Sequence, residues 1–439
     1  MAHLQSTWQR ALQPDRTDLR PGPSYDGAWL SAGSEHMHFA DDHGPPFKPN
    51  PHFSQWLDPQ FITPESRLLI RPDARPKLFL MQPEDYWHAP APHPENLDEH
   101  FEIETFASAD ELMRACVAAT DSNLRFAHIG EVQSGNEPLG ESNPQALTDF
   151  LYFHRARKTA FELAAMRTAS DIGARGHLAA RNVFMAGGTE FDIHMAYLAA
   201  SKQTDLELPY GNIVALNEHG SVLHYQFQER LNQRPPASLL IDAGGQYRGY
   251  ASDITRTYAA ESESEFANLI SLMQTHQDRL IDSITPKRTF ADLHTQMHQQ
   301  LAQVLRDAEL ITCSATEAFD SGITETFCPH GLGHLLGLQV HDVGGHLANA
   351  RGEAAPPPAN YPALRFTRAI QTDQVFTIEP GLYFIPMLLN KLRSDGAAVN
   401  WTKVAELTPF GGIRIEDNVR VLEHGVENLT RDAFARVAS

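Results

Sequence analysis

His330-Gly-Leu-Gly-His334-Leu-Leu-Gly-Leu-Gln-Val-His341-Asp342-Val-Gly-Gly-His346 places four histidines and five glycines within seventeen residues. Histidine is the commonest nitrogen ligand for a metal and the usual proton carrier near neutral pH. Glycine lets backbone approach an ion or a substrate closely. A chain with 22 histidines can also scatter a few over a glycine-rich surface loop. Acidic residues elsewhere decide between these readings.

Four of them stand out. Asp242 closes the apolar run Ser238-Leu-Leu-Ile-Asp242, and Asp253 falls in Tyr250–Tyr258, predicted as the strand returning across Gly244-Gly245. Glu379 ends Gln374-Val-Phe-Thr-Ile-Glu379, and Glu416 interrupts the inward side of Gly412–Val421, a run that alternates as a strand does. A carboxylate at the end of a buried strand is costly unless it is paired or coordinated. Unrelated ion pairs explain any one of these acids. Together with His334 they form an oxygen-rich set with one imidazole, suited to Mn²⁺, Mg²⁺ or Fe²⁺, with Co²⁺ and Zn²⁺ also within range. Two bridged divalent ions would hold a hydroxide and polarise an electrophile.

Outward from this centre the chain falls into two parts. Residues 1–150 carry four of the five tryptophans (Trp8, Trp29, Trp56, Trp87) and dense proline. Short apolar runs at Arg67–Ile70, Pro76–Met81 and Arg125–Gly130, with a helix near Ala109–Ala118, predict a small α/β domain. Asp41-Asp42-His43-Gly44 reads as an exposed acidic turn. Residues 151–439 switch to amphipathic helices, predicted over Arg155–Phe184, from Thr189-Glu-Phe-Asp192, from Ser262 to Leu280 and from Thr289-Phe-Ala-Asp292 to Leu305. The similar starts Thr189-x-x-Asp192-x-His194 and Thr289-x-x-Asp292-x-His294 suggest a faint internal repeat or two unrelated capping boxes. Strands are predicted at Gly211–Leu216 and Ser221–Tyr225, and the proline-rich segment 351–362 as a loop over the site.

Composition bounds the rest. The chain has 439 residues, 42% hydrophobic and 21% charged, as a globular enzyme does. With 35 basic against 55 acidic residues the net charge is −20, which argues against binding a phosphate backbone. Three scattered cysteines fit neither a disulfide framework nor a thiolate metal site. No stretch approaches a membrane span and no basic-then-apolar signal opens the chain, so a cytoplasmic location is expected.

The order Asp242, Asp253, His334, Glu379, Glu416 resembles the ligand set of the pita-bread metallopeptidases: methionine aminopeptidase, aminopeptidase P and prolidase. Tyr-Gly-Asn-Ile-Val-Ala-Leu-Asn, Leu-His-Tyr, Ile-Asp-Ala-Gly, Ser-Asp-Ile-Thr-Arg-Thr, His-Gly-Leu-Gly-His, Phe-Thr-Ile-Glu-Pro-Gly-Leu-Tyr-Phe and Gly-Gly-Ile-Arg-Ile-Glu-Asp-Asn are similar to bacterial Xaa-Pro dipeptidases, the subgroup that includes organophosphorus acid anhydrolase. The match covers nearly all of 150–439 and extends weakly upstream through Asp-Asp-His-Gly-Pro-Pro-Phe-Lys and Asp85-Tyr-Trp-His88. The first ~25 residues match nothing recognised.

The resemblance implies an α/β (α+β) protein: an N-terminal domain serving dimerisation and cleft closure, and a C-terminal domain with a curved, mainly antiparallel sheet covered by helices. It implies two divalent ions, Mn²⁺ foremost, bridged by Asp253 and Glu416. Asp242 completes one shell, His334 and Glu379 the other. Glu379 would shuttle the proton of a bridging water, and His224 and His341 would flank the cleft. Arg365 and Arg414 would supply cationic donors, Arg365 to the product carboxylate. Tyr210 would line the pocket for the first residue, Asp42, reaching in from a partner subunit, would meet the α-amine, and His330 would support the site. His346 has no role assigned. A homodimer acting on Xaa-Pro dipeptides is expected, with neither nucleic acid nor membrane as partner and a side activity on organophosphorus compounds. Competing readings are an aminopeptidase P acting on longer peptides and a non-catalytic binding module.

Overall fold

In the computed structural model the described residues are 1–14, 21–84, 86, 96–132 and 138–439; Trp87 and the Asp85 and His88 of the upstream motif lie outside them. The chain divides into two compact units, Met1–Arg155 with Leu347–Ala354, and Ala156–His346 with Ala355–Ser439.

The first unit is built on a six-stranded mixed sheet. The predicted strands are present as Arg67–Ile70, Lys77–Met81 and Phe126–Ile129, and the helix as Ala109–Ala119. Sequence reading missed the central strand, Gly27–Ser31, buried along its whole length. It pairs antiparallel with Arg67–Ile70 and parallel with Phe126–Ile129. The helix Ala2–Leu12 buries Trp8, Ala11 and Leu12 in one cluster with Leu30, Phe53 and Trp56.

The second unit pairs its strands antiparallel throughout the described residues, and the sheet is broken into short pieces. Ser238–Asp242 lies between Ile213–Leu216 and Thr255–Ala259, and Val375–Ile378 pairs with Asp417–Val421. Among the described residues one isolated bridge, Thr255 to Glu416, joins the two groups. Its helices bury one large core that includes Phe266, Met273, Leu293, Phe376 and Ile413.

Several predicted boundaries move for local reasons. The helix expected from Arg155 begins at Ala160, because Thr159 and Glu162 form a capping box; an earlier helix, Gln145–Arg155, ends before it. The helix expected from Ser262 is Glu265–Asp282, capped by Ser264. Thr189 and Thr289 both cap helices through Asp192 and Asp292, and His194 and His294 are both buried. Ser221–Tyr225 is not a strand: a 3₁₀ turn runs over Asn217–Ser221 and the chain turns again through Val222–His224. Tyr250–Tyr258 is not continuous either, since Ser252, Asp253 and Ile254 separate Tyr250–Ala251 from Thr255–Ala259. Gly412–Val421 breaks at Ile415-Glu416 and is buried on both faces as far as Val419, so its alternation does not separate core from solvent.

Glycine lets the long helix Ala160–Met185 come close to its neighbours. A Cβ on Gly176 would lie 2.5 Å from the Tyr197 ring, and one on Gly173 would lie 3.1 Å from Ser252 Oγ. Ser252 Oγ in turn donates to Ala169 O at 3.0 Å and accepts from Gly245 N at 2.9 Å. Asp253 is thereby presented from a backbone tied to the helix.

Candidate metal centre

Asp242, Asp253, His334, Glu379 and Glu416 line one cavity of about 220 Å³, together with His224, His330, His341, Arg365 and Arg414. Asp253, His334 and Glu416 are buried, and each offers a ligand atom within 4.8 Å of the others.

Each side chain is aimed by its backbone neighbours. Asp253 N donates to Asn418 Oδ1 at 2.9 Å, and Asn418 Nδ2 donates back to Asp253 O, so one amide holds both sides of that backbone. His334 N donates to Thr377 Oγ1 at 3.1 Å, and Thr377 N donates to His334 O at 3.0 Å. The His334 Nδ1–H is spent on Leu335 O at 3.0 Å. That bond selects the tautomer whose Nε2 lone pair faces the acids, 3.4 Å from Asp253 and 3.6 Å from Glu379. The close approach needs Gly333, because a Cβ there would fall 2.0 Å from Thr377 O. Glu416 accepts from Thr255 Oγ1 at 2.7 Å, and Glu379 accepts from Thr377 Oγ1 at 3.2 Å.

Without a cation the cluster clings to protons. Burial, then the charges of Asp253, Glu379 and Asp242, push the Glu416 pKa well above the usual carboxylate range. Burial raises Asp242 despite Arg414, and raises Glu379 to about 7. Burial would lower His334, but Asp253 and Glu379 outweigh it and raise the imidazole. Asp253 is lowered because His334 and Tyr210 outweigh its own burial. A divalent cation would displace these protons and use the same lone pairs. The donor set fits one.

His224 sits in the turn through Val222–His224 and lines the cavity. The His341 ring stands edge-on to His334, centroids 4.5 Å apart, and burial with the His334 charge lowers its pKa to about 4. Arg365 lines the cavity. Arg414 uses three donors inside the protein: Nη2 to Asp242 at 2.7 Å, Nη1 to Tyr383 Oη at 2.9 Å and Nε to Thr255 Oγ1 at 3.2 Å. His330 has both ring nitrogens engaged, with Gly331 O at 2.8 Å and Tyr383 Oη at 2.9 Å, so it braces the wall of the site. Tyr210, expected to line a substrate pocket, is absent from the cavity lining; its hydroxyl lies 2.7 Å from Asp242 Oδ1 and 2.6 Å from Asp253 Oδ1. His346 Nε2 donates to Leu364 O at 2.8 Å and does not line the cavity. Asp42 lies with Asp41 and His43 in an exposed loop of the first unit. Residues 351–362 form a loop, its first part in the first unit and its second part in the other.

Sequence reading missed the residues that do the holding: Thr255, Thr377, Tyr383 and Asn418. Thr377 and Tyr383 are polar groups inside otherwise apolar runs, and that contrast was the available signal; Thr255 and Asn418 stand among other polar residues and offered none.

A largely buried cluster of four carboxylates and one imidazole, with Asp242 and Glu379 partly open to a small polar cavity, is the equipment of a metal-dependent hydrolase. Residues 164–423 match metallopeptidase family M24, to which the chain belongs. Residues 2–153 match the Xaa-Pro dipeptidase N-terminal domain, so the opening ~25 residues, unplaced from motifs alone, are part of a recognised domain. The chain is 46% identical over 411 residues to the Xaa-Pro dipeptidase of Shewanella loihica, covering 92% of each. It is 44% identical over 428 residues to that of Aeromonas hydrophila, covering 96% of each. Aminopeptidase P from E. coli superposes with a TM-score of 0.74 at 22% identity, covering 98% of this chain and 95% of that one. The Pseudomonas aeruginosa aminopeptidase PepP gives 0.73 at 21%, covering 99% and 98%. The pita-bread architecture expected from the motifs is the fold of the second unit.

Proposed function

We propose that this chain is a metal-dependent dipeptidase that hydrolyses Xaa-Pro dipeptides. The observation that carries the chemistry is the convergence of Asp242, Asp253, His334, Glu379 and Glu416 on one cavity, with the His334 Nε2 lone pair directed into it. Relatives called Xaa-Pro dipeptidase, aligned along nearly the whole chain, support the substrate class.

Asp242, Asp253, His334, Glu379 and Glu416 would hold two divalent cations, Mn²⁺ foremost. When bound, such a pair polarises the peptide carbonyl and makes water a strong nucleophile near neutral pH. Glu379, a carboxylate facing the cavity, moves the proton from water toward the leaving nitrogen. The proline nitrogen is tertiary and must be protonated to leave. His224 and His341 orient the scissile group from the cavity wall. Arg365 meets the product carboxylate bidentately. Arg414 and Tyr210 hold Asp242 and, for Tyr210, Asp253 in place. Asp42 would capture the α-amine in a homodimer whose contacts are made by the domain of residues 1–150, leaving 151–439 as the catalytic domain. No helix among the described residues is long and apolar enough to cross a membrane, and a cytoplasmic location is proposed. A tetrahedral phosphoryl centre mimics the tetrahedral state of peptide hydrolysis, so slow cleavage of organophosphorus esters or fluorides is proposed as a side activity.

The test strips the protein with chelator, restores Mn²⁺ and compares an Xaa-Pro dipeptide with the matching Xaa-Pro-Xaa tripeptide. Metal-dependent cleavage of the dipeptide alone is expected. Preferred cleavage of the tripeptide would overturn the dipeptidase assignment in favour of an aminopeptidase P.

A further inference from the structure

Glu190 is an acid that this chemistry does not use, yet it is only 1% exposed. It is the first residue of the helix Glu190–Ser201, where the helix dipole favours a negative charge. Its two oxygens accept four hydrogen bonds. Oε1 takes Leu216 N at 2.9 Å and lies 2.7 Å from His219 Nδ1. Oε2 takes Tyr225 Oη at 2.8 Å and Glu229 N at 2.8 Å. The first pair precedes His224 in the chain and the second pair follows it. One carboxylate therefore ties together both ends of the segment whose turn puts Leu223 and His224 on the cavity wall. The His219 and Tyr225 rings stack at 4.4 Å, which closes the same ring of contacts. Phe191 N donates to Glu229 O at 3.2 Å and fastens the helix to the far end.

We infer that Glu190 is a positioning residue that holds the 216–229 segment so that His224 faces the metal centre. The segment has no strand pairing of its own after Leu216, so the backbone groups at its ends depend on this side chain. A buried carboxylate with four donors is favourable only while all four are in place. The inference rests on the reading of His224 as a residue of the dipeptidase site, and its test has one readout that does not need activity.

Glu190→Ala is compared with wild type by hydrogen exchange and by Xaa-Pro dipeptide hydrolysis with Mn²⁺, each also in a His224→Ala background. Exchange should accelerate across 216–229 and stay unchanged in Ser238–Asp242, with bound metal retained. The kcat/KM should fall about tenfold to 100-fold, as misplacement of a site group does, and the fall should vanish in the His224→Ala background. Unchanged exchange in 216–229 would overturn the inference, and so would an equal fall with His224 already removed. If wild type cleaves no Xaa-Pro dipeptide, the substrate reading fails while the exchange result still judges the clamp. Should Glu190→Ala not fold, Tyr225→Phe removes a single donor, and the same local exchange and the same dependence on His224 are expected of it.

Discussion

Replacing Glu379 by Gln should make the metal-free protein more stable while destroying its use of metal. The Glu379 carboxyl has its pKa pushed from 4.5 to about 7, chiefly by burial, with Asp253 and Asp242 adding repulsion and with His334 and Arg414 pulling the other way. A carboxyl raised on folding binds more protons in the native chain than in the unfolded one between those two values. Stability therefore falls as pH rises from 4.5 toward 7 and stays low above it. At about 1.4 kcal/mol per pH unit, ionising Glu379 in the bare site costs about 3 kcal/mol at pH 8 and less than about 1 kcal/mol at pH 5. Gln keeps the size and an acceptor oxygen for Thr377 Oγ1 but has no charge to bury. Urea unfolding in chelator should show Glu379→Gln more stable than wild type by about 3 kcal/mol at pH 8, with the gap nearly closed at pH 5. Adding Mn²⁺ should reverse the order at pH 8, because only the wild type gains a full ligand set. A variant no more stable than wild type in chelator at pH 8, or a gap independent of pH, would refute the electrostatic account.

Gly333→Ala should lower metal affinity about tenfold to 100-fold, read by metal titration, because the added Cβ would meet Thr377 O at 2.0 Å and push His334 out of line; wild-type affinity would count against that geometry. Lys158 Nζ lies 2.9 Å from Asp342 Oδ2, with both side chains 1% exposed. Asp342→Asn should cost about 3–5 kcal/mol in urea unfolding, since it removes the carboxylate charge that faces a buried ammonium. A loss below about 1 kcal/mol would place this pair with solvent-screened ones.

The chemistry of the centre was legible in the sequence because charge is rare at the end of an apolar run. Asp242 after Leu-Leu-Ile and Glu379 after Val-Phe-Thr-Ile each admit an unrelated ion pair, and it was their conjunction with Asp253, Glu416 and His334, in its glycine-rich segment, that pointed to a metal. Helix starts at Thr189 and Thr289 were equally plain, since a cap acts within one turn. Adjacent acids were harder. Glu416 and Asp417 are indistinguishable as letters, but Glu416 faces the cavity while Asp417 is bound from other sides by Arg256 at 2.7 Å, Asn428 at 2.8 Å and Arg431 at 2.7 Å.

What the sequence determined by itself was residue type and local period: which acids would be expensive to bury, where helices begin, and that the histidine segment could come close to other backbone. Tertiary structure decided which way each group points. Tyr210 turned its hydroxyl to two carboxylates, Arg414 spent its donors on Asp242, Thr255 and Tyr383, and the expected strand at Ser221–Tyr225 became a turn whose Tyr225 hydroxyl donates to Glu190. These outcomes depend on hydrogen bonds between residues as much as 172 positions apart, as between Arg414 and Asp242. Local propensity carries no information about such partners, because the donors and acceptors meet only after the strands have paired.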